Sequence, residues 1–371
     1  MRGIAMRLLS VARRRVRLRL AMGRSPARRR RGASSVHAAA AGAQWNRPRT
    51  RGRTASRRPG VMRRMKRTLG VTALLAAAAV VAGSCYSCAA KKAVAREAAA
   101  AVRDPATGII AGAEPLTLPG SPARACLLVH GWLGSRNDLG DLPARLNARG
   151  LTVRAMLLPG HGTTPYDLEK VKADEFMQAV RGEYRALRAT HEDVTVIGFS
   201  IGGALATLLA AEEAPERLVL VAPYFDVTYK LYYVLPAPVW NEVLKPFTRF
   251  VVRSDAFLGT NRREVKKQIL AYRGVPTAAV TELCAIGARA RAPETLAKVT
   301  APVLVLQSMQ DHAASYKATK AAFARFGGAR KEFVTLPRSN HLIFWDRDAE
   351  EALRAIEEFV GAAADGPAPR K

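Results

Sequence analysis

Gly198-Phe199-Ser200-Ile201-Gly202 is a run whose residue types and order could generate a nucleophile. It directly follows Val194–Ile197, which reads as a strand, and directly precedes Ile201–Ala211, which reads as a helix. A serine on so sharp a strand-to-helix turn holds its hydroxyl clear of the backbone. Glycines two positions before and after it keep side chains out of the crossing, and Gly203 adds further room. The string alone is weak; its flanks make it strong. A hydroxyl is a poor nucleophile at neutral pH, so a base must stand beside it. Among five histidines beyond residue 67, His341 follows the last strand candidate in Pro337-Arg338-Ser339-Asn340-His341, just before a C-terminal helix. His191 sits in a polar loop and reads as solvated. His130 and His161 each precede a glycine and read as structural hydrogen-bonding groups.

The base needs an acid to orient it and to stabilise its cation. Asp311 follows the apolar run Val303–Gln307 by a short turn and stands 30 residues before His341, room for one helix and one strand. Asp226, after the preceding strand, is the alternative acid, and Asp346 reads as a helix N-cap. Acyl transfer also needs donors aimed at the developing oxyanion. The backbone N–H of Ile201, at a helix N-terminus, is one candidate. The N–H of Trp132 is the second, because Gly131 before it lets the backbone approach closely. His130, Gly131, Trp132 and Phe199 are the candidate pocket residues.

These groups need a frame. Ala125–Val129, Leu151–Met156, Val194–Ile197, Leu218–Val221, Val303–Gln307 and Glu332–Leu336 are near-continuous apolar runs, as strands buried on both faces of a parallel sheet are. Helical patterns alternate with them at Leu139–Ala148, Ala173–Ala189, Ile201–Ala211, Tyr316–Phe326 and Ala349–Val360. That order implies an α/β fold, a doubly wound and mostly parallel sheet with its chemistry in loops at the strands' carboxyl ends. The core covers 108–223 and 299–363, with a flexible tail at 364–371. The aromatic and proline-rich stretch 224–298 has no clear strand and reads as a mostly helical cap inserted in that core.

Charge separates the N-terminal segment from this body. Net charge is +29, but the first 67 residues hold 22 Lys/Arg and no Asp/Glu, leaving 37 against 30 elsewhere. Arg13–Arg15 and Arg28–Arg31 would suit phosphates. They lack periodicity and have a single aromatic, Trp45, nearby, so 1–64 reads as a disordered or untranslated leader with no specific nucleic-acid partner. Residues 65–88 follow an export pattern: Lys66 and Arg67, then Val71–Gly83 without charge, then Ser84-Cys85. That apolar run is short for a membrane span. Val81-Ala82-Gly83-Ser84-Cys85 resembles a bacterial lipoprotein signal, with Ala82 where Leu is usual, so Cys85 is the candidate lipid anchor and an envelope membrane the expected location; cleavage with release, an uncleaved anchor and a cytoplasmic location are the alternatives. Residues 89–107 read as an Ala-rich tether. Cys126 and Cys284 read as core residues, and no metal-ligand spacing or disulfide framework is present.

Several motifs fall in one order: Leu128-Val129-His130-Gly131-Trp132, Leu158-Pro159-Gly160-His161-Gly162, Gly198-Phe199-Ser200-Ile201-Gly202-Gly203, Pro302-Val303-Leu304-Val305-Leu306-Gln307 leading to Asp311, and Ser339-Asn340-His341. As a set, from about Ala125 to Val360, they resemble the bacterial carboxylesterase and monoacylglycerol-lipase branch of the α/β-hydrolases. The resemblance implies hydrolysis of a small-molecule acyl ester, a helical cap over an acyl pocket, and no cofactor. Asn340 departs from a glycine common in that branch. Thioesterase, lysophospholipase, aminopeptidase and acyltransferase chemistry share the constellation and stay open. A non-catalytic, membrane-tethered binding protein is the rival class, and the complete set of Ser, Asp and His argues against it.

Overall fold

The computed structural model describes residues 59–228, 236–254 and 258–361. The arginine clusters of the leader, the cap tyrosines 229, 232 and 233 and the tail 364–371 lie outside the described residues. In chain order, α1 (Pro59–Ala100) precedes β1 (Leu116–Leu118), β2 (Arg124–Val129), α2 (Leu142–Ala148), β3 (Thr152–Ala155) and α3 (Pro165–Leu168). Then come α4 (Ala173–Arg188), β4 (Asp193–Phe199), α5 (Ile201–Glu213) and β5 (Arg217–Val221). The insertion holds α6 (Ala237–Leu244), β6 (Phe250–Val252), β7 (Gly274–Pro276), α7 (Thr277–Ala290) and α8 (Pro293–Lys298). The core resumes with β8 (Val303–Ser308), α9 (Tyr316–Phe323), β9 (Lys331–Leu336) and α10 (Ala349–Gly361).

Strand alternation explains the layers. Leu127, Val129, Val194, Val196, Leu218, Leu220, Val303 and Val305 point to one face and pack with α4, α5 and the cap. Cys126, Leu128, Ile197, Val219, Val221, Leu304 and Leu306 point to the other and pack with α2 and α10. Both faces are covered, so the strands read as unbroken apolar runs. The sheet order is β1-β3-β2-β4-β5-β8-β9, parallel throughout except for β1 on β3. The chain leaves β2 toward one edge and returns at β4 beside β2 to build the other. That pair is the topological switch point, where α/β sheets open a crevice at their carboxyl ends.

The expected strands all form. β1 was not anticipated, because three residues are too few for an alternation to register. The helix expected over Leu139–Ala148 starts only at Leu142, since Gly140 at φ 52° closes a separate turn over Arg136–Leu139. The cap is helical in part, but it also carries the antiparallel pair β6–β7.

The largest correction concerns the segment before the core. Signal-like segment and tether form one continuous helix, α1, whose stretch Thr68–Ala100 is long and apolar enough to cross a bilayer. Leu69, Val71, Leu74, Leu75, Val80 and Val81 on it are exposed. Its later turns are no free tether. Ala90 and Val94 are buried with Phe250, and the Glu97 carboxylate accepts the N–H groups of Arg273 at 2.7 Å and Gly274 at 3.2 Å. The Tyr86 hydroxyl accepts the N–H of Val252 at 3.2 Å. Deleting everything before Gly108 therefore removes packing and charge-assisted hydrogen bonds worth about 3–5 kcal/mol. At about 2–4 °C per kcal/mol for a chain of this size, the melting temperature should fall roughly 6–20 °C relative to a chain beginning at Cys85. Equal melting curves for the two truncations would return α1 to the role of a tether.

Candidate active site

Ser200 occupies the turn between β4 and α5 at φ 55°, ψ −117°, in the left-handed half of backbone space. A side chain there costs about 1–3 kcal/mol, which the surrounding packing sustains. The crossing is tight enough to demand glycine on both sides. A Cβ on Gly198 would lie 2.3 Å from the carbonyl oxygen of Gly202, and one on Gly202 would lie 2.2 Å from that of Val129.

His341 stands beside this turn. Its Nε2 lies 2.9 Å from Ser200 Oγ, and its Nδ1 lies 2.8 Å from Asp311 Oδ2. Asp311 is buried on the turn after β8. Its Oδ1 accepts the N–H groups of Ala313 and Ala314 at 2.7 and 2.8 Å, while Oδ2 also accepts from Gln307 Nε2 at 2.9 Å. Asp226, the alternative acid, accepts from its neighbour Val227 N at 2.8 Å and has no hydrogen bond to His341.

Asp346 does not cap the C-terminal helix, which begins at Ala349. Its Oδ2 accepts the N–H groups of Asn340 at 2.8 Å and Asn261 at 2.7 Å, so it holds the loop that carries His341. Asn340 in turn presents Oδ1 to the N–H groups of His341 at 2.9 Å and His312 at 3.1 Å. The side chain that departs from the glycine common in this position thus joins the His341 loop to the turn after Asp311.

Trp132, Phe199, Ser200 and His341 line one cavity of about 270 Å³, with Leu258, Ile269 and Leu283 from the cap. His130 and Gly131 do not line it; they lie behind the wall. His130 is buried, with Nε2 accepting the N–H of Leu158 at 3.0 Å. His161 Nε2 accepts the N–H of Leu133 at 3.2 Å. Both rings brace the loop after β2. The N–H of Trp132 on that loop has no hydrogen-bond partner among the described residues, and that of Ile201 opens α5, where no intrahelical acceptor exists.

Asp138 was missed, since nothing in its local pattern marks it. It is buried on the cavity wall, where its Oδ2 accepts the N–H of Gly131 at 3.1 Å. Burial pushes its carboxyl up to about 7, and burial pushes the His130 and His161 imidazoles down to about 3 and about 4. A depressed imidazole contributes stability present above its unfolded value near 6.5 and lost as pH falls toward the folded value. A raised carboxyl contributes stability present at acid pH and lost as pH rises through about 7. Between about pH 6.5 and 4.5 the unfolded chain therefore holds two histidine protons and the folded chain one carboxyl proton. These groups should lower the unfolding free energy by about 1.4 kcal/mol per pH unit of acidification. Asp138→Asn should double that slope, and His161→Gln should cancel it. Urea unfolding at three pH values in this window measures both, and an unchanged slope in both variants would contradict the assignment.

Residues 120–348 match the family described as serine aminopeptidase, S33. The thermostable monoacylglycerol lipase of Bacillus sp. (strain H-257) is 27% identical over 258 residues, 69% of this chain and 97% of that one. A solved structure from work on LipS and LipT, two metagenome-derived lipolytic enzymes, superposes with a TM-score of 0.62 at 26% identity, covering 68% of this chain and 99% of its own. The monoacylglycerol lipase of Paleococcus ferrophilus gives a TM-score of 0.57 at 22% identity, over 66% and 97% of the two chains. A family match spanning most of the core, on a parallel sheet whose switch point carries a serine elbow, makes this chain a member of the serine aminopeptidase family with the α/β-hydrolase fold.

Proposed function

We propose that the protein hydrolyses carboxylic esters through an acyl-enzyme on Ser200, with His341 as general base and Asp311 as its orienting acid. The observation that carries this reading is the unbroken hydrogen-bond chain from Ser200 Oγ through His341 to Asp311 Oδ2, at 2.9 and 2.8 Å. Ser200 attacks the ester carbonyl while its proton passes to His341 Nε2. The oxyanion forms against the N–H groups of Trp132 and Ile201, neither of which needs to break a hydrogen bond to receive it. His341 gives that proton to the departing alcohol, then takes one from water as that water attacks the acyl group, and passes it to Ser200 Oγ as the acyl–Ser200 bond breaks and the acid leaves. Asp311 stabilises the imidazolium at each stage. The apolar cap wall of Leu258, Ile269 and Leu283 favours an acyl chain over a peptide, and the lipase and esterase names of the relatives agree. A fluorophosphonate probe should label Ser200, and a panel of esters of graded chain length should reveal turnover. An unlabelled protein without turnover on any ester would refute the reading.

The N-terminal segment is proposed to anchor the enzyme at a bacterial envelope membrane through Cys85. Lys66 and Arg67 before the uncharged run support export, and cleavage before Cys85 would leave Tyr86, Ala90, Val94 and Glu97 on the cap. Labelled fatty acid should appear in the full-length protein and be lost in Cys85→Ala but not in Cys88→Ala. Label retained in Cys85→Ala would exclude this anchor.

A further inference from the structure

Among the described residues, Arg253 is the one arginine on the wall of the cavity that holds Ser200 and His341. It follows β6 on the cap, and its Nε and one Nη donate to the carbonyl of Tyr272 at 3.1 and 3.0 Å. A guanidinium has five N–H donors; its other Nη has no hydrogen-bond partner among the described residues, and the side chain lines the cavity. Burial lowers its pKa only to about 10, which leaves it a cation at neutral pH.

Asp138 and Glu97 act on that cation only from a distance; among the described residues neither forms an ion pair with it. Among the described residues Asp138 is the carboxylate of the same lining, and its Oδ2 accepts the N–H of Gly131. With its carboxyl near 7, it is only partly ionised at neutral pH. Glu97 is spent on the N–H groups of Arg273 and Gly274, and Arg273 adds positive charge. Leu258, Ile269 and Ala271 give the lining its apolar surface, beside the polar Tyr224, Thr228 and His312. A cation beside such a surface costs several kcal/mol when it is neither paired nor fully hydrogen-bonded. A neutral fatty ester gives it no partner.

Resting on the ester-hydrolase reading, we propose that Arg253 is a specificity-determining residue and that the substrate is an ester bearing an anionic group, carboxylate or phosphate, which the open edge of the guanidinium holds. Arginine matches either group with a two-pronged, charge-assisted fork. The anion sits at one end of the cavity while the ester carbonyl reaches Ser200.

Two substrate pairs locate the charge. Monomethyl adipate against methyl hexanoate places it on the acyl side; a 1-acylglycerol 3-phosphate against the matching 1-acylglycerol places it on the alcohol side. In at least one pair kcat/KM should favour the anionic ester about tenfold or more, mainly through KM. Arg253→Gln should bring that ratio to near one, and Arg253→Lys should retain part of it. Matching thermal melts of the variants establish that each is folded. A ratio near one in both pairs, or a ratio that survives Arg253→Gln, overturns the proposal while ester hydrolysis itself stands. No turnover on any of the four esters, with no fluorophosphonate label on Ser200, overturns the hydrolase reading and this one with it.

Discussion

Ser200→Ala is expected to lower ester turnover by about six orders of magnitude, as loss of an activated serine does where it acts as a unit with its base. The residual rate should stay above that in water, because the N–H groups of Trp132 and Ile201 still receive an oxyanion. Folding should be untouched, since the strained turn is set by Gly198, Gly202 and the β4–α5 crossing and not by the hydroxyl. The check is steady-state hydrolysis with a thermal melt alongside. A variant within tenfold of the native rate would remove Ser200 from the chemistry.

Asp311→Asn should cost about four orders of magnitude, and the surrounding bonds say why. Oδ1 of Asp311 accepts two backbone N–H groups, from Ala313 and Ala314. An asparagine must keep its oxygen there, which turns its NH₂ toward His341 Nδ1. Nδ1 then has to accept, so the ring proton moves to Nε2. That atom can no longer take the proton of Ser200. The same NH₂ would face the Nε2 donor of Gln307, now 2.9 Å from Oδ2, adding a second mismatch. Asp226→Asn should change kcat by no more than a few fold, since among the described residues the Asp226 carboxylate accepts only from the neighbouring Val227 N. The reverse ranking of these two variants would move the acid to the other strand.

The strands, the serine elbow and the chain order Ser200, Asp311, His341 were legible without a structure because each rests on residues adjacent in sequence. Alternation along β2, β4, β5 and β8, and glycines two either side of Ser200, are local signals with local causes. Three-residue strands such as β1, β6 and β7 lie below the length at which a period shows. Asp346 was legible only as an acidic residue before a helix; that it clamps the Asn340 backbone depends on how the loop folds back. Residues 89–107 read as an Ala-rich tether because the partners of Val94 and Glu97, namely Phe250, Arg273 and Gly274, are remote in sequence. His130 and Gly131 were placed on the cavity by their neighbour Trp132, yet the turn sends Trp132 inward and leaves them as its support. Asp138 and Arg253 carry no pattern at all. One loop follows β2 and the other follows a strand of the cap, and only closure of the cap over the sheet brings their charges to one cavity. Long-range convergence of single polar residues leaves no period, spacing or composition to read, which is why it belongs to the tertiary structure alone.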